Sequence, residues 1–156
     1  MAETVEFNSC GDVCKGVLTR PGAKSDNVPL VIMAGGWCYT KEIVMPWYGK
    51  FFEDLGCATL RFDYRRFGES TGEPRQHINP WDQVEDYRNA LTFAETLSGI
   101  DKNRTGIWGI SYSGGTRADN GGPRLALGIR NFNNSRGGWI PDHATGARRS
   151  AICAIE

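Results

Sequence analysis

Gly106-Ile-Trp-Gly-Ile-Ser-Tyr-Ser-Gly-Gly115 decides the fold. Its first residues belong to the short apolar run Thr105-Gly-Ile-Trp108, in a strand expected from Arg104 to Gly109, and Gly109 ends that strand just before Ser111. A serine raised on a sharp turn at the end of a strand needs small residues two positions to either side, because the chain doubles back too closely for larger ones. Gly109 and Ser113 meet that need around Ser111, although Ser113 departs from the strict glycine of a G-x-S-x-G pattern. In the competing register Ser113 sits at the peak, with Ser111 and Gly115 beside it. The direct junction of Gly109 with the strand favours Ser111.

Upstream, the pattern alternates strand and helix. Thr4 to Phe7 and Val13 to Thr19 read as two strands joined by a turn at Gly11-Asp12. Pro29 to Ala34 is a continuous apolar run, the mark of a strand covered on both faces, and it runs into Gly35-Gly36-Trp37. Pro46 opens a helix in which Trp47, Phe51, Phe52 and Leu55 recur at helical spacing, and Gly56 stops it. Cys57 to Phe62 is the next strand. A second helix is expected from Pro80 to Leu97, capped by Asn79, with Asp82, Glu85 and Asp86 near the positive end of its dipole. Trp81, Val84, Tyr87, Leu91 and Ala94 give that helix one apolar face. The order strand, helix, strand, helix, strand predicts an α/β fold, a parallel sheet with flanking helices preceded by a β-hairpin. Ligands of such sheets bind beyond the carboxyl ends of the strands, where both glycine-rich turns fall.

Composition narrows the function classes. The 156 residues suffice for one domain with a sizeable core. Eighteen basic residues balance 18 acidic ones, so charge gives no pull toward nucleic acid or an anionic membrane surface. No apolar run approaches the roughly 18 residues of a membrane span, and the N-terminus lacks the basic and apolar regions of a signal peptide. An intracellular setting, cytoplasmic or peroxisomal, is the expectation. The five cysteines are odd in number, and Cys10 and Cys14 have no second Cys/His pair to complete a metal site. They read as free thiols, and neither a metal nor a cofactor is expected.

A serine hydroxyl is a weak nucleophile. It needs a base, normally a histidine held by a carboxylate, and donors aimed at the developing oxyanion. The Tyr112 backbone N–H is one candidate donor, and the Trp37 N–H, in the turn after Ala34, is the other. The chain has two histidines. His77 precedes the serine, in the loop before the second helix. His143 follows it, next to Asp142, too close for that carboxylate to reach the far ring nitrogen. Neither fits the base role, and both read as loop residues. Asp63, Arg65, Arg66 and Gly68 read as loop-holding residues.

Four pieces, PLVIMAGGW (29–37), DYRRFGES (63–70), NPWDQVEDYRNAL (79–91) and GIWGISYSGG (106–115), together resemble the N-terminal half of an α/β-hydrolase. More narrowly, the chain resembles fungal dienelactone-hydrolase-like proteins and polyketide hydrolases or transferases of secondary-metabolite clusters, some of them for plant toxins. The resemblance covers residues 1–115. It implies acyl chemistry through a serine acyl-enzyme on a small-molecule ester, thioester or polyketide substrate. Gly35 stands where many relatives carry the histidine of a His-Gly turn.

After Gly115 the pattern changes. The resemblance implies further strands, then an acid, then a histidine. Thr116 to Glu156 instead places Gly121, Gly122 and Pro123 where a helix should follow the turn. Lysine ends at Lys102, while six arginines fall between Arg117 and Arg149. Back-translated degenerately and read one base displaced, Thr116 to Leu125 permits His-Val-Leu-Ile-Met-Gly-Ala-Leu-Asp, an apolar, helix-competent stretch. The expectation is therefore an irregular tail at 116–156 from a shifted frame or a mis-spliced exon, with the triad acid and base missing and little turnover.

Overall fold

A computed structural model describes residues 2–22 and 27–114. Five strands form one sheet in the order β1-β2-β4-β3-β5. β1 (Ala2–Ser9) and β2 (Asp12–Thr19) make an antiparallel hairpin, paired from Ala2↔Thr19 to Ser9↔Asp12. Its two-residue turn is Cys10-Gly11, with φ of 52° and 93°, the left-handed pair that matches strand twist in tight hairpins. The turn therefore lies one residue earlier than the sequence pattern placed it, and Asp12 already belongs to the strand.

β2 pairs antiparallel with β4 (Ala58–Phe62), whereas β3 (Val28–Ala34) runs parallel to both β4 and β5 (Ile100–Gly109). The sheet is thus mixed, with a parallel core. β5 starts at Ile100 rather than Arg104, because Ile100 pairs with Val28 before a register shift leads into Leu30↔Thr105.

Side chains of β3 alternate between two cores, as strand geometry requires. Leu30, Ile32 and Ala34 join the larger cluster with Phe7, Leu18, Leu60, Phe62, Tyr87, Leu91 and Ile107. Val31 and Met33 face Met45 and Cys57, with Tyr48, Phe52 and Trp108 packed alongside. The helices α1 (Met45–Asp54) and α2 (Pro80–Ala94) accordingly cover opposite faces. Both faces of β3 are covered, which is why Pro29 to Ala34 reads as unbroken apolar sequence.

Helix α1 turns a different stripe inward from the aromatic one in the sequence. Met45 and Gly49 are buried and Tyr48 and Phe52 pack on the sheet, while Trp47 is 85% exposed and Phe51 and Leu55 also face outward. Gly49 lies on this inward stripe, facing Thr59, whose hydroxyl is 3.5 Å from the position a Cβ would take. On α2, Val84, Tyr87, Ala90, Leu91 and Ala94 are buried as their spacing requires, but Trp81 in the first turn is 68% exposed. Asp86 is fully buried in an ion pair instead of serving the helix dipole. Asn79 does cap α2, accepting the Trp81 N–H at 3.1 Å. Asn79→Ala is expected to cost about 1 kcal/mol, read as a lower midpoint in thermal unfolding. Among the described residues no helix is long and apolar enough to cross a membrane.

Candidate active site

The carboxyl ends of β3 and β5 lie side by side, with Ala34 paired to Gly109, so the two glycine-rich turns leave the sheet together. After Gly109 the chain passes Ile110 and enters a single 3-10 turn, Ser111–Gly114. Ser111 has φ of 56°, a left-handed conformation that a non-glycine residue adopts only when its surroundings hold it there. Its side chain is exposed. Gly109 is obligatory, since a Cβ on it would fall 2.6 Å from the Ser113 carbonyl oxygen.

The two serines of the turn have opposite environments. Ser113 is fully buried. Its Oγ accepts the Ile110 N–H at 2.8 Å and lies 3.0 Å from the Ala34 carbonyl, to which it can donate. A hydroxyl tied down on both sides is poorly placed to attack a substrate. The geometry thus favours the register with Ser111 at the peak.

The turn after β3 closes against this elbow. The Tyr39 N–H donates to the Gly36 carbonyl at 2.7 Å, and Trp37 has φ of 39°. The Trp37 indole meets the Tyr112 ring edge to face at 5.0 Å between centroids. Burial raises the Tyr112 phenol above its ordinary pKa. Gly36 permits the approach: a Cβ there would lie 2.7 Å from the Ile110 carbonyl oxygen and 3.2 Å from the Ser111 Cβ. Gly36→Ala must therefore push the two turns apart. It is expected to destabilise by about 1–3 kcal/mol in denaturant unfolding, the range for overpacking against backbone. Gly35 is equally constrained, because a Cβ would fall 2.5 Å from the Tyr39 carbonyl oxygen. A histidine at that position is incompatible with this loop, so the departure from the His-Gly pattern is built into the turn.

A second anchor holds the same loop from the other side. The Asp63 carboxylate accepts the Lys41 N–H at 2.6 Å, the Lys41 ammonium at 2.9 Å and the Glu69 N–H at 3.0 Å. Gly68 must be glycine, as a Cβ would lie 2.2 Å from the Asp63 carboxylate. Arg65 pairs with Asp86, and Arg66 with Asp82, tying the loop after β4 to α2. Asp63, Arg65, Arg66 and Gly68 thus hold loops, as their sequence context suggests. Lys41 was not legible in this role, because a single lysine in a polar turn has no local signature. His77 is exposed in the loop before α2. His143, Asp142 and the whole of 116–156 lie outside the described residues.

Parallel strands with helices on both faces, a serine in a left-handed turn at the end of β5 and a glycine turn packed on it give this chain the fold of the N-terminal half of an α/β-hydrolase. Solved structures bear this out. The chain superimposes on DcsB, solved in complex with its substrate analogue, with a TM-score of 0.71 and 28% identity, over 76% of this chain and 40% of that one. It superimposes equally on the α/β-hydrolase GrgF from Penicillium sp. sh18, with a TM-score of 0.71 and 27% identity, again over 76% and 40%. Among curated proteins it is 47% identical over 90 residues to the thiohydrolase aneE of Aspergillus aculeatus, covering 58% of this chain and 28% of that protein. It is 39% identical over 111 residues to the quorum-quenching protein AidA of Acinetobacter baumannii, covering 71% and 36%. With the polyketide transferase claH of Penicillium crustosum the identity is 33% over 112 residues, covering 70% and 36%. No family model matches the chain. The resemblance to fungal polyketide hydrolases and transferases is therefore real, and it is partial: the chain spans about a third of the length of these curated relatives.

Proposed function

We propose that this chain carries the nucleophile half of a serine hydrolase or acyltransferase acting on a small-molecule ester, thioester or polyketide-derived acyl group, in an intracellular setting. The carrying observation is Ser111, exposed at φ of 56° beside the Trp37 turn, while Ser113 is bonded into the scaffold. Ser111 Oγ attacks the acyl carbonyl carbon, and the carbonyl oxygen becomes an oxyanion facing the Trp37 and Tyr112 N–H groups. Collapse expels the alcohol or thiol and leaves an acyl-serine. Water or a second alcohol then takes the acyl group. A base must remove the Ser111 proton, and among the described residues no hydrogen bond joins Ser111 to a histidine or carboxylate. In this reading residues 1–115 belong to the hydrolase domain and 116–156 to a displaced frame, with the acid and base encoded in the other frame.

Reading the gene through codons 110 to 156 tests the frame. An early stop in the displaced frame, or no hydrolase-like continuation, removes that part of the proposal. Expressing the continuation tests the chemistry. The restored polypeptide should cleave aryl esters or thioesters, and Ser111→Ala should lower kcat by at least ~10³-fold. Retention of activity by Ser111→Ala, with loss in Ser113→Ala, would reverse the assignment.

A second reading, a non-catalytic remnant, is favoured by β5, which has only β3 as a partner among the described residues. An open strand edge invites pairing between copies. Monomeric sedimentation with cooperative unfolding would count against it.

A further inference from the structure

Ala34 is the last residue of β3 and the point from which the Trp37 turn departs, and both of its backbone polar groups are held by side chains from elsewhere. Its N–H donates to the Tyr87 phenol oxygen at 3.0 Å, and its carbonyl lies 3.0 Å from Ser113 Oγ. Tyr87 comes from the buried face of α2 and donates its own proton to the Trp108 carbonyl of β5 at 3.0 Å. Ser113 comes from the elbow and accepts the Ile110 N–H at 2.8 Å. One connected set of side chains thus joins the end of β3, the end of β5 and the turn that carries Ser111.

We infer that Ser113 and Tyr87 are positioning residues: together they fix the Trp37 turn to the Ser111 elbow, and so set the spacing between nucleophile and oxyanion donors. The inference rests on Ser111 being the nucleophile. Oxyanion stabilisation depends on donors held in place before charge develops, so a turn free to drift by an ångström loses most of its value. Glycine turns are conformationally permissive, and Gly35-Gly36 is such a turn. The Ala34 clasp removes that freedom at its root. Ser113 therefore does more than satisfy the size limit at its position, because alanine is also small and would release the Ala34 carbonyl and the Ile110 N–H together. Tyr87 is buried completely; a phenol keeps its donating proton at neutral pH, and burial pushes this one further up, to about 12.

Hydrogen exchange read by mass spectrometry on the 156-residue chain tests this without requiring turnover. The informative peptides span 34–40 and 109–114. Ser113→Ala and Tyr87→Phe should each speed their exchange about tenfold, the effect of losing one buried hydrogen bond locally. Ile100→Val serves as the control: Ile100 is buried at the start of β5, paired with Val28 at the opposite end of the strand from the Ala34–Gly109 pair, so it lowers global stability only. It should leave exchange in the two peptides unchanged relative to the core strands. Wild-type exchange in both clasp variants, or an equal rise in the control, overturns the inference. If Ser113→Ala fails to fold, Tyr87→Phe carries the test. Since exchange reports loop geometry, a failure of Ser111 chemistry would appear separately, as absence of serine-dependent turnover in the restored polypeptide.

Discussion

The 156-residue chain is expected to hydrolyse p-nitrophenyl butyrate no faster than its Ser111→Ala variant. The geometry gives Ser111 a strained turn packed against the Gly36–Trp37 turn, but activation is a separate requirement. The serine pKa lies far above neutrality, and without a positioned base the attacking oxygen keeps its proton. Loss of a triad base costs ~10⁴–10⁶ in kcat, so serine-dependent turnover should fall below the spontaneous rate. Weak hydrolysis can persist where donors and a binding surface remain, worth ~10³-fold over water. That residue of activity does not pass through the serine, so it survives Ser111→Ala. The informative quantity is therefore the difference between chain and variant, followed by release of p-nitrophenolate. Turnover in the chain that Ser111→Ala abolishes would show that a base is present after all, and His143→Ala would then identify or dismiss the histidine nearest in sequence after the serine.

Asp86→Ala is expected to unfold the chain at or near room temperature. Asp86 is buried on α2 and its carboxylate accepts three hydrogen bonds: from Ser9 Oγ at 2.5 Å, from the Arg65 N–H at 3.0 Å and from Arg65 Nε at 2.6 Å. It therefore joins β1, the loop after β4 and α2 at one point. Removing it leaves the Arg65 guanidinium buried without its principal counter-charge, a change that costs about 3–5 kcal/mol. Against a total stability of about 5–15 kcal/mol, that is a large fraction. The asymmetry offers an internal control. Replacing both partners by apolar residues, Arg65→Met with Asp86→Leu, should recover much of the loss, because no unpaired charge remains. Urea unfolding of the two variants reads the difference directly. A midpoint for Asp86→Ala within error of the parent would mean that the pair contributes little.

Much of the framework is legible in the residues. Pro29 to Ala34 reads as a doubly covered strand because β3 feeds both cores, and the Asn79-Pro80 start of α2 follows from capping chemistry alone. Ser111 stands out because Gly109 ends the strand two residues before it, and the close contact with the Ser113 carbonyl explains why nothing larger than glycine fits there. The misreadings have physical causes. Helix α1 carries two apolar stripes, Met45-Tyr48-Phe52 and Trp47-Phe51-Leu55, and periodicity alone cannot choose between them. Packing on the sheet chooses: Val31, Met33 and Trp108 cover the first. The start of β5, Ile100 to Asn103, is too polar to read as strand and is recruited by pairing with Val28. Asp86 resembles a dipole partner in sequence, because its arginine lies 21 positions away. Tyr87 reads as an apolar face residue, and nothing local shows that its hydroxyl would join two strands. The clasp and the Lys41–Asp63 anchor are long-range contacts, and a single sequence does not display them.

The most direct test is peptide mapping after reaction with a fluorophosphonate, performed on the polypeptide with the displaced frame restored. One covalent adduct is expected, on Ser111, absent from Ser111→Ala and intact in Ser113→Ala. An adduct on Ser113, or a folded protein that takes no label at Ser111, would contradict it.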